Sequence, residues 1–201
     1  MMHDDKLEVI RQRIEKSKVY YVNDYVYFVY PYKGIEPLEI TELSVSSEMV
    51  LKLLPPPDDF DVILTFMTDG IIISLPIAIK LHKKLWVARD YHYKACDIEF
   101  NQITGYNSRK LFLNASWINK TYNPVRVVIV DAVISTGGTI INCINSLSEK
   151  YKGKIVWIGA YALISKSQYG GCKKIRDTLN IPCKAVFGVY YNGKLKCVSP
   201  V

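Results

Sequence analysis

One stretch of the chain, RVVIVDAVISTGGTI at residues 126–140, constrains the fold more than any other. Residues 126–130 are mostly β-branched and apolar, which predicts a buried strand. Asp131 follows where this strand is expected to end, and the turn 135–139 is expected to open a helix that runs to about residue 151. A strand that ends in an acid and leads through a glycine turn into a helix is typical of α/β proteins, which bind ligands at that edge of the sheet.

The turn after this strand has the composition of an anion-binding loop. Its glycines, Gly137 and Gly138, allow backbone N–H groups to approach a phosphate closely. The hydroxyl groups of Ser135, Thr136 and Thr139 add donors, and the start of the following helix adds about half a positive charge. The sequence contains neither Gly-x-x-x-x-Gly-Lys nor Gly-x-Gly-x-x-Gly, so neither a Walker loop nor a dinucleotide fingerprint is indicated.

Strands and helices alternate along most of the chain, which predicts a parallel sheet with crossover helices. Before residue 58 the patterns differ, with a helix over 5–17, two short strands or a hairpin over 19–32 and a helix over 41–54. Residues 90–109 combine polar and aromatic residues, and they predict a long loop or a mobile hairpin. The alternating part comprises strand 62–66, a helix to about 81, strands 85–89 and 126–130, a helix to about 151, strand 155–164, helix 170–179 and strands 185–190 and 195–198.

Charge is unevenly distributed along the chain. The 201 residues include 26 Lys and Arg and 19 Asp and Glu, which gives a net charge of +7. Residues 1–70 carry a net charge of −6, and residues 71–201 carry +13. A basic segment attracts an anionic partner, but charge alone leaves open a polyphosphorylated small molecule, a nucleic acid or a solvated basic surface.

The composition argues against several other classes of protein. With 49% hydrophobic, 12% aromatic and 22% charged residues, the chain has the balance of a globular domain. Its most apolar stretches, residues 71–79 and 125–130, are far shorter than the roughly 20 residues of a membrane-spanning helix, and residues 1–6 lack the apolar run of a secretory signal. Five irregularly spaced cysteines form no Cys-x-x-Cys pair, and the three histidines have no metal-ligand spacing. We therefore expect a reducing, cytoplasmic location and no transition-metal site.

The segment VVIVDAVISTGGT resembles the phosphoribosyl-pyrophosphate (PRPP) binding motif of type I phosphoribosyltransferases. Four further segments occur in the order seen in archaeal purine phosphoribosyltransferases, the hypoxanthine and adenine enzymes: YVNDYVYFVYPYKGIEP, FMTDGIIISLPIAIKL, KLWVARDYHYK and QITGYNSRKLFLN. The resemblance implies an α/β fold, a parallel sheet flanked by helices, with a small hood formed largely by N-terminal segments. It also implies a single domain over 1–201, with the N-terminal helix, strands and hood at about 1–57 and the α/β core at about 58–201.

The resemblance assigns roles to individual residues. Asp131 matches the first of two paired acids that contact the ribose hydroxyl groups, and Arg89 stands where the family has an arginine facing the pyrophosphate, so both are expected to be catalytic. The residues expected to bind the 5′-phosphate are Ser135, Thr136, Gly137, Gly138 and Thr139. Those expected to bind pyrophosphate are Thr68, Asp69, Gly70, Arg89 and Lys94. A mobile flap is expected at Tyr106, Asn107, Ser108 and Arg109. Magnesium (Mg²⁺) is expected to arrive with PRPP rather than in a cage built by the protein.

The implied function is that of a purine phosphoribosyltransferase, which forms a purine nucleoside 5′-monophosphate and pyrophosphate from PRPP and a free base in purine salvage. A homodimer is expected on the same ground, without membrane association or a nucleic-acid partner. The base, hypoxanthine, guanine or adenine, is left open, with specificity expected around residues 163–168 and 189–192. The aromatic cluster is expected in the core and subunit interface rather than at the base: Tyr20, Tyr21, Tyr25, Tyr27, Phe28 and Tyr30.

Several positions depart from the family pattern. Ala132 stands where relatives carry the second acid, Met67-Thr68 replaces a glutamate-containing start of the pyrophosphate loop, and Asp90 stands where a lysine is common. A hydrogen bond to a charged group contributes roughly 1.5–3 kcal/mol, so the loss at Ala132 corresponds to about 10- to 100-fold weaker ribose or transition-state binding. On this basis Ala132→Asp is expected to raise or preserve the rate. A second hypothesis stays open, a weakened or inactive regulator of the same fold that binds PRPP or a nucleotide.

The assigned residues also have simpler structural explanations. Asp131 could cap the end of a strand, Arg89 could be a surface cation, and Asp69 could belong to an ordinary Asp-Gly turn. Tyr106 and Arg109 could be flap residues without a substrate contact. The positions of these side chains in the fold bear on these alternatives.

Overall fold

A six-stranded sheet forms the centre of the protein. The computed structural model describes residues 2–103 and 108–198, with side chains from Lys6 onward. The strand order is β10-β9-β8-β7-β3-β4, and neighbouring strands are parallel except for the antiparallel pair β9 and β10. The strands are β3 (Val62–Phe66), β4 (Lys84–Ala88), β7 (Val125–Ile134), β8 (Ile155–Lys166), β9 (Cys183–Tyr191) and β10 (Leu195–Val198). The predicted α/β fold with a mostly parallel sheet is confirmed.

Helices and two hairpins surround this sheet. The helices are α1 (Met2–Glu15), α2 (Ile40–Leu51), α3 (Asp69–Leu81), α4 (Gly138–Lys150) and α5 (Gly171–Leu179). The hairpins consist of β1 (Lys18–Val22) with β2 (Tyr25–Val29) and of β5 (Ile98–Ile103) with β6 (Ser108–Leu113). None of the helices over 2–103 and 108–198 combines the length and apolar character needed to cross a membrane.

Strand β7 is longer than the sequence predicts. The sequence places its end at residue 130, whereas the strand continues through Asp131 to Ile134. Asp131 pairs with Ala162 and Ile134 pairs with Ser165 of the equally extended β8. The β-branched Val133 and Ile134 favour this extension, because such residues pack well on a pleated surface. The acid therefore lies inside the ladder, and its position is fixed by pairing with β8.

The stretch at 90–109, predicted as a long loop or hairpin, contains strand β5 and the start of β6. Strand β5 packs on α4, where the Asn142 side-chain amide donates a hydrogen bond of 3.0 Å to the Asn101 carbonyl. Reciprocal backbone hydrogen bonds of 3.0 and 2.7 Å connect Arg89 with Phe112 and tie the hairpin to the end of β4. The hairpin is thus anchored at both the helix and the sheet, and residues 104–107 lie outside the described ranges.

Two apolar cores lie on opposite faces of the sheet. Leu64 and Phe66 of β3 face the core shared with α4, α5 and the β5–β6 hairpin, whereas Ile63 faces the core shared with α1, α2, α3 and the β1–β2 hairpin. This division follows from the two-residue period of a strand, which directs successive side chains to opposite faces. Burial on both faces explains why β3 and the first half of β7 read as continuous apolar runs.

The N-terminal hairpin forms the predicted hood. Tyr25, Phe28 and Tyr30 are almost completely buried, because they project from the hairpin onto the core of the protein. The backbone N–H of Val26 donates to the hydroxyl of Tyr169, at 2.8 Å, and connects the hairpin to the segment after β8. The hood is consequently attached at the carboxyl edge of the parallel strands.

We predict that α3 is anchored by the buried side chain of Ile73. Ile73 is 0% exposed whereas Ile79 of the same helix is 65% exposed, so the two isoleucines provide a matched pair. Ile73→Ala should lower the free energy of unfolding by about 2–5 kcal/mol, and Ile79→Ala should change it by less than about 0.5 kcal/mol. Urea titration followed by circular dichroism measures both values. Equal effects of the two substitutions would contradict this orientation of α3.

Candidate active site

A cavity of about 430 Å³ opens at the carboxyl edge of β3, β7 and β8, below the hood. It lies where α/β sheets bind their ligands. Segments far apart in the sequence contribute its walls: Tyr25, Tyr27, Phe28, Tyr30, Lys33 and Ile35 from the hood side, Phe66, Met67, Thr68, Asp69 and Gly70 after β3, Gln102 and Arg109 from the second hairpin, and Asp131, Val133, Ser135 and Lys166 from β7, its turn and β8. The structure thus brings together Thr68, Asp69, Gly70, Arg109, Asp131 and Ser135 among the residues selected from the sequence.

Asp131 projects from β7 into this cavity. Its Oδ1 accepts a hydrogen bond of 2.7 Å from the backbone N–H of Ala132. Burial raises the pKa of the carboxyl to about 7, and the negative charge of Asp69 acts in the same direction. A ligand hydroxyl group or a cation in the cavity would therefore stabilise the charged form of Asp131.

The segment between β3 and α3 forms the wall opposite Asp131. Asp69 opens α3, and its Oδ2 accepts hydrogen bonds from the hydroxyl of Tyr30 at 2.7 Å and from Lys33 Nζ at 3.1 Å. The peptide bond between Met67 and Thr68 is cis. Gly70 faces Asp131 so closely that an added Cβ would lie 2.9 Å from Asp131 Oδ1. An ordinary Asp-Gly turn does not account for Asp69, because its side chain connects the hood to the cavity wall.

The turn between β7 and α4 has the geometry of an anion site. Gly137 adopts a φ of +77° immediately before α4, a conformation that L side chains rarely adopt. A Cβ on Gly171, the first residue of α5, would lie 2.1 Å from the carbonyl oxygen of Ser135. Glycine at both positions lets α5 pack directly against the turn, while the backbone N–H groups at the start of α4 stay oriented along the helix axis.

Lys166, at the end of β8, is the functional candidate that sequence reasoning missed. Its Nζ donates hydrogen bonds to the Tyr25 hydroxyl at 2.8 Å and to the Val26 carbonyl at 3.2 Å. Burial, and to a smaller extent the charge of Lys33, lowers the pKa of Lys166 to about 7. The position falls within 163–168, the range expected to govern base specificity, but a single lysine in a strand pattern gives no signal of its own.

Arg89 and Lys94 lie outside the cavity wall. Both are exposed, and Arg89 contributes its backbone to the bridge with the second hairpin. Arg109 instead lines the cavity, where Nη1 donates to Asp90 Oδ2 at 3.0 Å and Nη2 donates to the Met67 carbonyl at 3.2 Å. The cation nearest to the segment after β3 in the second hairpin is therefore Arg109.

The other selected residues lie around the cavity rather than in its wall. Thr136 and Gly138 contact Ile103 at the end of β5, with 3.5 Å between Thr136 Oγ1 and the Ile103 carbonyl oxygen. Thr139 lies in the first turn of α4, and Ser108 is exposed at the start of β6. Tyr106 and Asn107 fall outside the described residues.

The aromatic cluster belongs to the cavity as well as to the core. Tyr25, Tyr27, Phe28 and Tyr30 line the cavity, and three of them are almost completely buried. Tyr20 and Tyr21, by contrast, are 42% and 60% exposed and are not among the residues that line the cavity. The expectation of a core role is thus correct for part of the cluster but incomplete, because four of its members line the cavity.

Comparison with known proteins identifies the family to which this arrangement belongs. No family model matches the chain. The sequence is 31% identical to a hypoxanthine/guanine phosphoribosyltransferase of Methanothermus fervidus over 197 residues, which cover 96% of this chain and 98% of the relative. The chain belongs to the type I phosphoribosyltransferase family.

Two further phosphoribosyltransferases illustrate the similarity. A hypoxanthine/guanine phosphoribosyltransferase of Methanosalsum zhilinae is 33% identical over 145 residues, which cover 71% of this chain and 73% of the relative. The crystal structure of the Saccharomyces cerevisiae adenine phosphoribosyltransferase, complexed with an imino-altritol bisphosphate and adenine, superimposes with a TM-score of 0.65 at 15% identity, covering 90% of this chain and 97% of that chain. At that identity the second comparison supports the fold alone.

In this phosphoribosyltransferase the position at which relatives carry the second acid is fully buried. Ala132 is 0% exposed and belongs to the core shared with α1, α2 and α3, next to Val130. A carboxylate there would be buried among apolar side chains, which is costly without a partner. That Ala132→Asp raises or preserves the rate stays a prediction, and the burial of this position adds the expectation that the substitution lowers the stability of the protein.

We predict that Asp131 lowers the stability of the ligand-free phosphoribosyltransferase at neutral and alkaline pH. With a pKa of about 7 against an ordinary value of 3.8, the folded protein holds a proton that the unfolded chain has lost. Stability contributed by this group is present below about pH 4 and declines as the pH rises through 7. At pH 8 the free energy of unfolding of Asp131→Asn should be higher than that of the unmodified protein by roughly 2–4 kcal/mol, since a shift of one pKa unit corresponds to about 1.4 kcal/mol.

Urea titrations of both proteins at pH 4 and pH 8 measure this difference. At pH 4 the Asp131 carboxyl is partly protonated in the unfolded chain as well, so the gain in the free energy of unfolding should fall below about 1 kcal/mol. A variant that is equally stable or less stable at pH 8 would contradict the assigned environment of Asp131.

Proposed function

We propose that this protein transfers the phosphoribosyl group of PRPP to a 6-oxopurine, hypoxanthine or guanine, and releases pyrophosphate in purine salvage. The observation that carries the proposal is the convergence of three features on one cavity: the glycine turn before α4, the acid Asp131 on β7 and the buried Lys166 below the aromatic hood. The family membership of the chain supports the same reaction.

The chemistry explains why these parts suffice. Displacement of pyrophosphate from the anomeric carbon by a purine nitrogen develops positive charge on the ribose and negative charge on the leaving group. The protein has to fix the ribose, stabilise both charges and exclude water, and no nucleophilic side chain is required. Asp131, in its charged form, is placed to hold the ribose hydroxyl groups and to favour positive charge on the ring.

The anionic ends of PRPP have separate partners in this proposal. Backbone N–H groups of residues 136–139 and the hydroxyl of Ser135 bind the 5′-phosphate, because they lie at the start of α4. Thr68, Asp69 and Gly70 hold the pyrophosphate side of the cavity, with Arg109 in the wall beside them. Arg89 and Lys94 remain predicted pyrophosphate cations, although their side chains lie outside the cavity wall.

Magnesium fits the pyrophosphate side of the cavity. Across the described residues no three His, Cys, Asp or Glu side chains form a metal site, but the carboxylates of Asp131 and Asp69 both line the cavity. Mg²⁺ characteristically uses one or two carboxylates together with substrate phosphate oxygens. When bound, the ion neutralises charge on the diphosphate leaving group.

Lys166 favours a 6-oxopurine over adenine. An ammonium group only donates hydrogen bonds, so it complements the carbonyl oxygen at position 6 of hypoxanthine or guanine. The amino group of adenine at that position is also a donor, which leaves the buried Lys166 without an acceptor from the base. The name of the Methanothermus fervidus relative, a hypoxanthine/guanine phosphoribosyltransferase, agrees with this preference.

The broader organisation of the protein is part of the proposal. Residues 1–57 and 58–201 act as one domain, because the hood and the core line the same cavity. A homodimer is part of the proposal on the ground of the family resemblance. Five free cysteines suit a reducing cytoplasm.

We predict turnover with hypoxanthine and guanine. Pyrophosphate release is measured with PRPP, magnesium and, in separate reactions, hypoxanthine, guanine, xanthine, adenine and a pyrimidine. Lys166→Met should lower kcat/KM for hypoxanthine about 10- to 100-fold, the effect of losing one hydrogen bond from a charged donor. Lys173→Met, which removes a lysine that is 74% exposed on α5, serves as the matched control and should leave the rate unchanged.

Two outcomes would contradict the proposal. Turnover with adenine alone would remove the role of Lys166 and change the substrate. Binding of PRPP without turnover of any base would favour a regulator of the same fold, the class to which the loss of the second acid at Ala132 points.

A further inference from the structure

The hydroxyl group of Tyr25 lies between the two ends of the cavity. It is 2.7 Å from Ser135 Oγ, in the turn before α4, and 2.8 Å from Lys166 Nζ, at the end of β8. The ring is stacked on Tyr169, with 4.6 Å between centroids and 19° between planes, and Lys166 Nζ lies 4.4 Å from its centroid on the ring face. One phenol therefore connects the turn proposed to bind phosphate with the lysine proposed to bind the base.

The chemistry of the three groups allows the hydrogen bonds to run in one direction from Lys166 through Tyr25 to Ser135, since either hydroxyl of the Tyr25–Ser135 pair can donate. The ammonium of Lys166 has no acceptor, so it donates to the phenol oxygen. Ser135 Oγ is an acceptor within reach of the phenol proton, and when it accepts that proton its own hydroxyl hydrogen is directed elsewhere. Ser135 lines the cavity, so its hydroxyl group can donate to a ligand bound there. Hydrogen bonds that run in one direction polarise one another, which strengthens the last of them, the one donated by the Ser135 hydroxyl.

We propose that Tyr25 is a positioning residue that orients the Ser135 hydroxyl towards the 5′-phosphate of the ligand. The hydrogen bond from Lys166 to Tyr25 fixes the direction of the row of hydrogen bonds. The inference rests on the proposed function, since it takes the cavity to hold a nucleoside 5′-monophosphate or PRPP. Tyr25 belongs to the hood and Ser135 to the core, so phosphate affinity depends on the placement of the hood.

The hydroxyl of Tyr25 can be removed without dismantling the hood. The hairpin is also held by the Val26 N–H bonded to Tyr169 and by the Val26 carbonyl bonded to Lys166, at 2.8 and 3.2 Å. Tyr25→Phe keeps the stacked ring and these backbone contacts. Its effect on binding then reports on the hydroxyl group rather than on the presence of the hood.

The test compares inosine 5′-monophosphate with inosine by isothermal titration calorimetry, using competition with the nucleotide where the nucleoside binds weakly. Tyr25→Phe should weaken binding of the nucleotide about tenfold, as expected for one misdirected hydrogen bond to a charged group, and should weaken binding of inosine less than about threefold. In a Ser135→Ala background, adding Tyr25→Phe should change nucleotide affinity less than about twofold, because the effect passes through Ser135.

Tyr20→Phe provides the matched control. Tyr20 belongs to the same hairpin, is 42% exposed and is not a residue of the cavity wall, and Tyr20→Phe keeps the ring that stacks on Tyr27. This variant should bind both ligands like the unmodified protein.

The outcomes separate the inference from the proposed function. Equal weakening of nucleotide and nucleoside by Tyr25→Phe, or additive effects of Tyr25→Phe and Ser135→Ala, would assign Tyr25 a packing role and overturn the inference alone. No change in nucleotide affinity would overturn it as well. Failure of the unmodified protein to bind the nucleotide would overturn the proposed function together with the inference.

Discussion

The candidate active site depends on close backbone packing around the end of β7. Gly171 and Gly70 approach this strand so closely that a Cβ would lie 2.1 Å from the Ser135 carbonyl oxygen in one case and 2.9 Å from Asp131 Oδ1 in the other. Neither position accepts a side chain without displacement of its neighbour. Helices α5 and α3 thereby approach the anion turn and the acid from two sides. The shape of the cavity follows from these two contacts, and the hood closes it from above.

The cavity wall carries an acid, Asp131, and a buried lysine, Lys166, that a single ligand can contact together. Asp131 is held where burial raises its pKa to about 7, and burial lowers the pKa of Lys166 to the same region. Both groups therefore gain from a ligand that partners their charged forms. Asp69 is already bonded to Tyr30 and Lys33, and Asp90, the acid that departs from the family pattern, is paired with Arg109.

The sequence predicts the parts of this arrangement that depend on local pattern. Strand β3 and the glycine turn are recognisable because apolar runs and glycines carry local signals, and the resemblance of the motif adds Asp131. The sequence could not predict that part of the aromatic cluster lines the cavity, or that Lys166 lies beside it. Both depend on how the hood packs against β8, a contact between residues about 140 apart in the chain. Long-range packing of this kind leaves no periodic signal, and it also places Ala132 in the core.

The central claim is that one cavity holds the phosphate, ribose and base of a purine nucleotide in a fixed order. A crystal structure of the complex with inosine 5′-monophosphate tests this claim most directly. We expect the 5′-phosphate on the backbone of residues 136–139, the ribose hydroxyl groups at Asp131 and the oxygen at position 6 of the base at Lys166. A nucleotide bound outside the cavity, or with its phosphate at Lys166 and its base at the glycine turn, would contradict the account.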